Sequence, residues 1–125
     1  MTKVTSVYLT SAAGFDVLFQ DADLVWMKDP LPALHTIEHD AVFMDDGART
    51  PRFTPFFANT GFYFLRRNYK IVYMLERLVR GVAEIGFTHS HQATLNRYLT
   101  ETQALLNLQV HKRLLLFLPI SLSIS

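Results

Sequence analysis

Two aspartates that interrupt an apolar stretch near the start of the chain restrict its fold more than any other feature. Residues 17–19 (Val-Leu-Phe) precede Asp21, and residues 24–26 (Leu-Val-Trp) follow Asp23. A run of this kind is typical of a buried strand that ends in carboxylates. Two buried negative charges are costly unless a positive charge neutralises them, and divalent cations prefer hard oxygen ligands. The pattern therefore predicts a metal at the end of a strand. The alternative is a solvated turn, because short acid-x-acid motifs occur often by chance.

The composition indicates one globular domain without a strong electrostatic field. The chain has 125 residues, of which half are hydrophobic and 18% are charged, which is enough for a core. A net charge of +1 favours neither nucleic acid nor an acidic membrane as a partner. The chain has no cysteine, which excludes disulfides and thiolate metal sites. Membrane association is not encoded in this chain, since no apolar run reaches the length of a membrane span and residues 1–10 lack the apolar core of a signal peptide.

Apolar periodicity and turn signals predict strands and helices that alternate along the chain. A broad apolar stripe from Ile71 to Ile85 indicates a long helix capped by Asn68, with Gly86 just past its end. The remaining helices are expected over residues 3–13, 31–37 and 90–99, and the strands over residues 17–20, 41–44, 61–65 and 106–110. The strand at 61–65 has no polar alternation, so both of its faces should be covered. This order favours an α/β sheet with helices on both faces, in which ligands lie at the carboxyl ends of the strands.

Three segments of the chain carry motifs in a characteristic order. Residues 14–30 contain a glycine-led strand, the acid-x-acid pair, a Trp, a basic residue and Asp-Pro; residues 57–66 contain an Asn-Thr-Gly strand; and residues 90–99 contain a His-Gln pair that opens a helix. This arrangement resembles the nucleotide-diphospho-sugar transferases, the plant and algal glycosyltransferases that include xylosyl-, arabinosyl- and galactosyltransferases. The resemblance implies a single partial glycosyltransferase-A-like domain over residues 1–125, with a sheet flanked by helices and an N-terminal truncation.

The resemblance also implies a chemistry for the motif residues. It implies a nucleotide sugar donor, a glycan or glycoprotein acceptor, and a divalent cation, usually manganese. Asp21 and Asp23 would hold the metal that stabilises charge on the leaving diphosphate, and Asp21 would also contact the ribose. Asn59, Thr60 and Gly61 would face the transferred sugar or the acceptor, because an amide and a hydroxyl can bind sugar hydroxyls and glycine permits close approach. Family members are commonly Golgi enzymes with an N-terminal anchor, and residues 1–125 show no such anchor.

The third motif departs from the family's pattern. Gln92 would lie near the reacting sugar carbon as the catalytic residue, but His91 stands where the family usually has Asp. A neutral imidazole cannot replace a carboxylate that stabilises a positively charged sugar. This departure favours, as an alternative, a sugar-nucleotide-binding remnant without activity. A haloacid-dehalogenase-like phosphatase is a further alternative, since it also sets Asp-x-Asp after an apolar strand, although residues 24–26 do not suit that motif.

Four arginines are candidates for binding the donor diphosphate, because a guanidinium pairs bidentately with phosphate. They are Arg49, Arg52, Arg66 and Arg67. For Arg66 and Arg67 the alternative is a solvated junction between a strand and a helix.

Overall fold

The structure of the protein, a computed structural model, describes residues 2–22, 28–45, 57–88 and 91–111. The helices and strands follow one another along these ranges in the order that the sequence predicts. The elements are α1 (Thr2–Ala12), β1 (Val17–Gln20), α2 (Leu31–His35), β2 (Ala41–Asp45), β3 (Ala58–Leu65), α3 (Tyr69–Thr88), α4 (His91–Leu106) and β4 (Val110–His111).

The strands form one mixed sheet in the order β1-β3-β2-β4. The central strand β3 is antiparallel to both β1 and β2, whereas β4 is parallel to β2. The strands β1, β2 and β4 therefore point in the same direction. Their carboxyl ends and the beginning of β3 lie along a single edge of the sheet, which is the edge where the sequence predicts a ligand.

Both faces of the sheet are covered, which confirms the prediction for residues 61–65. Tyr63 and Leu65 of β3 pack in the larger core with α1, α3 and α4, whereas Phe62 and Phe64 pack in a smaller core against Leu34 of α2. Burial of each such large apolar side chain contributes about 1.5–3 kcal/mol to folding. A mixed α/β sheet flanked by helices agrees with the partial glycosyltransferase-A-like fold that the resemblance implies.

The ends of the helices confirm some predictions and correct others. The side-chain oxygen of Asn68 accepts a hydrogen bond from the N–H of Ile71 (3.0 Å), so Asn68 caps α3 as predicted. The prediction that α3 ends before Gly86 is wrong, because the helix continues to Thr88. One interior glycine costs a helix only about 1 kcal/mol, which the burial of the preceding apolar stripe from Ile71 to Leu78 outweighs.

The segment after α4 also differs from the prediction. The predicted helix over residues 90–99 extends to Leu106, and the predicted strand over 106–110 is reduced to β4 at Val110–His111. Asn107 has a φ of 53°, the left-handed conformation that often ends a helix. Leu108 is buried in the turn that follows, so the apolar alternation at 106, 108 and 110 does not mark a strand.

The two long helices approach each other closely at Gly81. A Cβ at this position would lie 2.8 Å from Cε2 and 2.9 Å from Cζ of the buried Tyr98 ring. These distances are too short for a real Cβ, so a side chain at Gly81 would force α3 and α4 apart. The contact packs α4, which carries the third predicted motif, against α3.

Candidate functional site

Asp21 lies at the carboxyl end of β1, where the sequence places it. Its backbone N–H donates to the carbonyl oxygen of Gly61 (2.7 Å), which continues the pairing of β1 with β3 by one residue. Its side chain is 44% exposed, so the carboxylate is accessible to a ligand. Asp23, the second predicted metal ligand, lies outside the described residues, as do Arg49 and Arg52.

A bulge in β3 brings the Asn-Thr-Gly motif to Asp21. Phe43 of β2 is opposite Tyr63 and Asp45 is opposite Ala58, so two steps along β2 correspond to five steps along β3. The three additional residues of β3 lie between positions 58 and 63, the interval that contains the motif. Bulges re-aim side chains at the edges of sheets, often next to functional sites.

Gly61 lets two side-chain oxygen atoms lie in the space that a Cβ would otherwise crowd. The N–H of Gly61 donates to Oδ1 of Asn59 at 2.6 Å. A Cβ at Gly61 would lie 2.9 Å from that oxygen and 3.0 Å from Oδ2 of Asp21. The structure thus brings together three of the predicted residues, Asp21, Asn59 and Gly61. We define these three residues as the Asp21 cluster.

Lys3 is a member of the site that the sequence reasoning missed. Its ammonium group lies 2.9 Å from Oδ1 of Asp21 and 4.6 Å from the centre of the Phe19 ring. The signal that could have found it is topological. A helix that returns over the following strand through a short turn is antiparallel to it, so the first turn of α1 lies beside the end of β1.

Thr60 and Tyr63 line a cavity of about 170 Å³ between the sheet and the helices, and Lys3 lines it as well. The rest of the lining is apolar. Burial raises the pKa of the Tyr63 hydroxyl, and the negative charge of Asp21 raises this pKa further. A phenol is already protonated and uncharged at neutral pH, and the raised pKa of Tyr63 keeps it so over a wider pH range.

Asn96 fastens α4 to the beginning of β3. Its side-chain oxygen accepts from the N–H of Ala58 (2.8 Å), and its amide nitrogen donates to the carbonyl oxygens of Ala58 (3.0 Å) and Gln92 (2.8 Å). Gln92, the predicted catalytic residue, therefore lies at the same edge of the sheet as the Asp21 cluster. The sequence reasoning missed Asn96, because its partner is 38 positions away.

The two described arginine candidates lie at the opposite edge of the sheet, where β3 ends. The guanidinium of Arg66 donates to the carbonyl oxygens of Leu34 (3.4 Å), His35 (3.2 Å) and Ile37 (2.7 Å), which satisfies the end of α2. The guanidinium of Arg67 donates to the carbonyl oxygen of Gly14 (3.1 Å). Both arginines thus occupy the strand–helix junction that was the alternative to a diphosphate site.

The donor set at this edge suits a cation held partly by substrate. Within residues 2–22, 28–45, 57–88 and 91–111, no group of three or more His, Asp or Glu side chains could hold a metal. Magnesium-like cations are often bound by one or two carboxylates, with phosphates and water completing the shell. The accessible carboxylate of Asp21 fits the role of one such ligand.

Comparison with known proteins places the chain in a family. A family model described as nucleotide-diphospho-sugar transferase matches residues 2–117. The chain is 29% identical to the beta-arabinofuranosyltransferase RAY1 of Arabidopsis thaliana over 93 residues, which are 70% of this chain and 17% of that protein. It is 48% identical to the UDP-D-xylose:L-fucose alpha-1,3-D-xylosyltransferase MGP4 of the same plant over 33 residues, 26% of this chain and 9% of that protein.

The chain thus spans less than a fifth of the length of these relatives. No solved structure gives a significant match. None of the helices in the part of the chain that the structure describes has the length and apolar character to cross a bilayer.

Proposed function

This chain belongs to the nucleotide-diphospho-sugar transferase family, and we propose that it is the acid-motif part of a metal-dependent glycosyltransferase. The reaction moves a sugar from a nucleotide-diphosphate sugar to a glycan or glycoprotein acceptor. The observation that carries the proposal is the Asp21 cluster. An accessible carboxylate, an amide and a glycine that permits close approach meet at the edge of the sheet where ligands bind.

Asp21 and Asp23 are the residues that would hold the divalent cation, for which manganese is the proposed identity. When bound, the cation would neutralise the negative charge that develops on the leaving diphosphate. Carboxylate oxygens suit this role because they are hard ligands.

The neighbouring residues would bind and orient the sugar. Asn59 and Thr60 can hydrogen-bond sugar hydroxyls, and Gly61 allows the backbone to approach the ligand. Gln92 is the residue proposed to lie near the reacting carbon, and the bonds of Asn96 to Ala58 and to the carbonyl of Gln92 support its position at this edge. Relatives named for arabinofuranosyl and UDP-xylose transfer make UDP-linked pentoses the first donors to test. The Golgi lumen is the location that the family suggests.

A sugar-nucleotide-binding remnant is the second candidate, and His91 favours it. In the sequence, His91 stands where the family usually has an acidic residue, which favours donor binding without transfer. The family match favours both of these candidates over the phosphatase alternative.

Calorimetric titration of the chain with UDP-xylose and Mn²⁺ tests the proposal. We expect binding by the wild type and loss of binding in Asp21→Asn. The matched control is Glu76→Gln, which removes the same charge from an exposed ion pair with Arg80 on α3. Binding followed by release of UDP, with the xylose passing to an added glycan acceptor or to water, supports the transferase, and binding without release supports the remnant. Equal binding by the wild type and Asp21→Asn would contradict both.

A further inference from the structure

We propose that Lys3 occupies the carboxylate of Asp21 when no metal is bound, so that a divalent cation enters this site more readily with the donor diphosphate than alone. The inference deepens the proposed function and rests on it. It assigns to Lys3 a positioning role that couples the binding of metal and donor.

The geometry shows that Lys3 occupies the carboxylate from one side. Its Nζ is 2.9 Å from Oδ1 of Asp21, while Oδ2 lies against Gly61. The side chains are 39% and 44% exposed, so the ion pair is open to solvent and can exchange. A cation that binds Oδ1 therefore competes with the ammonium group for this oxygen.

Electrostatics then determines which ligand can displace Lys3. A divalent ion bonded to Oδ1 would lie within a few ångströms of the ammonium group, and like charges at that distance repel. The flexible four-carbon stem lets Lys3 move away, but the ammonium then loses its anionic partner. A diphosphate that arrives with the cation offers new anionic oxygens, so Lys3 exchanges one partner for another.

The surroundings of Lys3 favour such an exchange. Its ammonium group lies over the face of Phe19, which stacks on Tyr63 with ring centres 5.1 Å apart. The stacked rings form a fixed platform, and a cation–π contact remains available while the ammonium moves. Binding of metal and of donor are thereby linked, and the coupling is reciprocal.

The test measures Mn²⁺ affinity with and without UDP, by the paramagnetic resonance signal of free Mn²⁺. Without UDP, Lys3→Gln should bind Mn²⁺ roughly 2- to 5-fold more tightly than the wild type, because a half-exposed ion pair contributes at most about 1 kcal/mol. Lys3→Arg should match the wild type, since it keeps the charge. Lys70→Gln is the control. It removes the same charge from the pair with Asp40, whose Nζ–Oδ2 distance is 3.7 Å, and should not change the affinity.

Addition of UDP should increase the Mn²⁺ affinity of the wild type by a larger factor than that of Lys3→Gln. Equal Mn²⁺ affinities of the two proteins without UDP, or equal factors on adding UDP, would overturn the inference. If wild-type binding of Mn²⁺ with UDP is nevertheless lost in Asp21→Asn, the proposed function survives. If none of the proteins binds Mn²⁺ with UDP, both proposals fail. Thermal melting checks that Lys3→Gln is folded.

Discussion

Replacement of Gly61 by alanine should damage the site while leaving the fold intact. The new Cβ would lie 2.9 Å from Oδ1 of Asn59 and 3.0 Å from Oδ2 of Asp21. Ordinary van der Waals contact begins near 3.4 Å, so the two oxygens must retreat by about 0.5 and 0.4 Å. Both oxygens belong to the ends of side chains, so they can move without shifting the strand.

The effect on stability should be small because two terms oppose each other. Weakening the 2.6 Å bond from Gly61 to Asn59 costs about 0.5–1.5 kcal/mol. The lower entropy of an unfolded chain with alanine returns about 0.4–1 kcal/mol. We therefore expect the free energy of unfolding in urea to change by less than about 1 kcal/mol.

The effect on ligand binding should be large, because the carboxylate and the amide are displaced together. A misplacement of about 1 Å can reduce a rate about 100-fold, so shifts of half that size should lower donor affinity or turnover roughly 10-fold. Calorimetry with UDP-xylose and Mn²⁺ measures the donor affinity, and urea unfolding of the same preparation measures the free energy of unfolding. Unchanged binding, or a loss of more than about 2 kcal/mol of stability, would refute the assignment of Gly61 to the site.

Gly81→Ala should give the opposite result, a loss of stability with donor affinity kept in the folded fraction. The overlap of the new Cβ with the Tyr98 ring should cost about 1–3 kcal/mol, and the better helix propensity of alanine should offset about 1 kcal/mol of this cost. Asn96→Ala should cost about 1–3 kcal/mol in urea unfolding, because it removes the bonds to both backbone groups of Ala58; an unchanged value would show that water replaces them. The pKa of His111 is lowered by burial and by His39, so the folded state binds its proton less readily than the unfolded state. Stability should therefore fall as the pH drops from 6.5 through the lowered pKa, and His111→Gln should flatten that slope in urea titrations at pH 5 to 7.

Local apolar patterns determined much of the fold. The strand over residues 17–20 was predicted with the bounds that the structure has, and so was the Asn68 cap. The pattern at 61–65 predicted burial on both faces because every residue there must leave water, whatever its partners are. The end of α3 at Gly86 was predicted wrongly because a local propensity of about 1 kcal/mol yields to packing.

The sequence by itself determined that Asp21 follows an apolar strand within an ordered series of helices and strands, because periodicity encodes which side chains must be covered. Only the tertiary structure decided what faces Asp21. The bulge of β3, the ion pair with Lys3 and the bonds of Asn96 to Ala58 join residues 13 to 38 positions apart. Such contacts depend on strand pairing and on the direction in which a helix returns, and no local pattern of residue types records them.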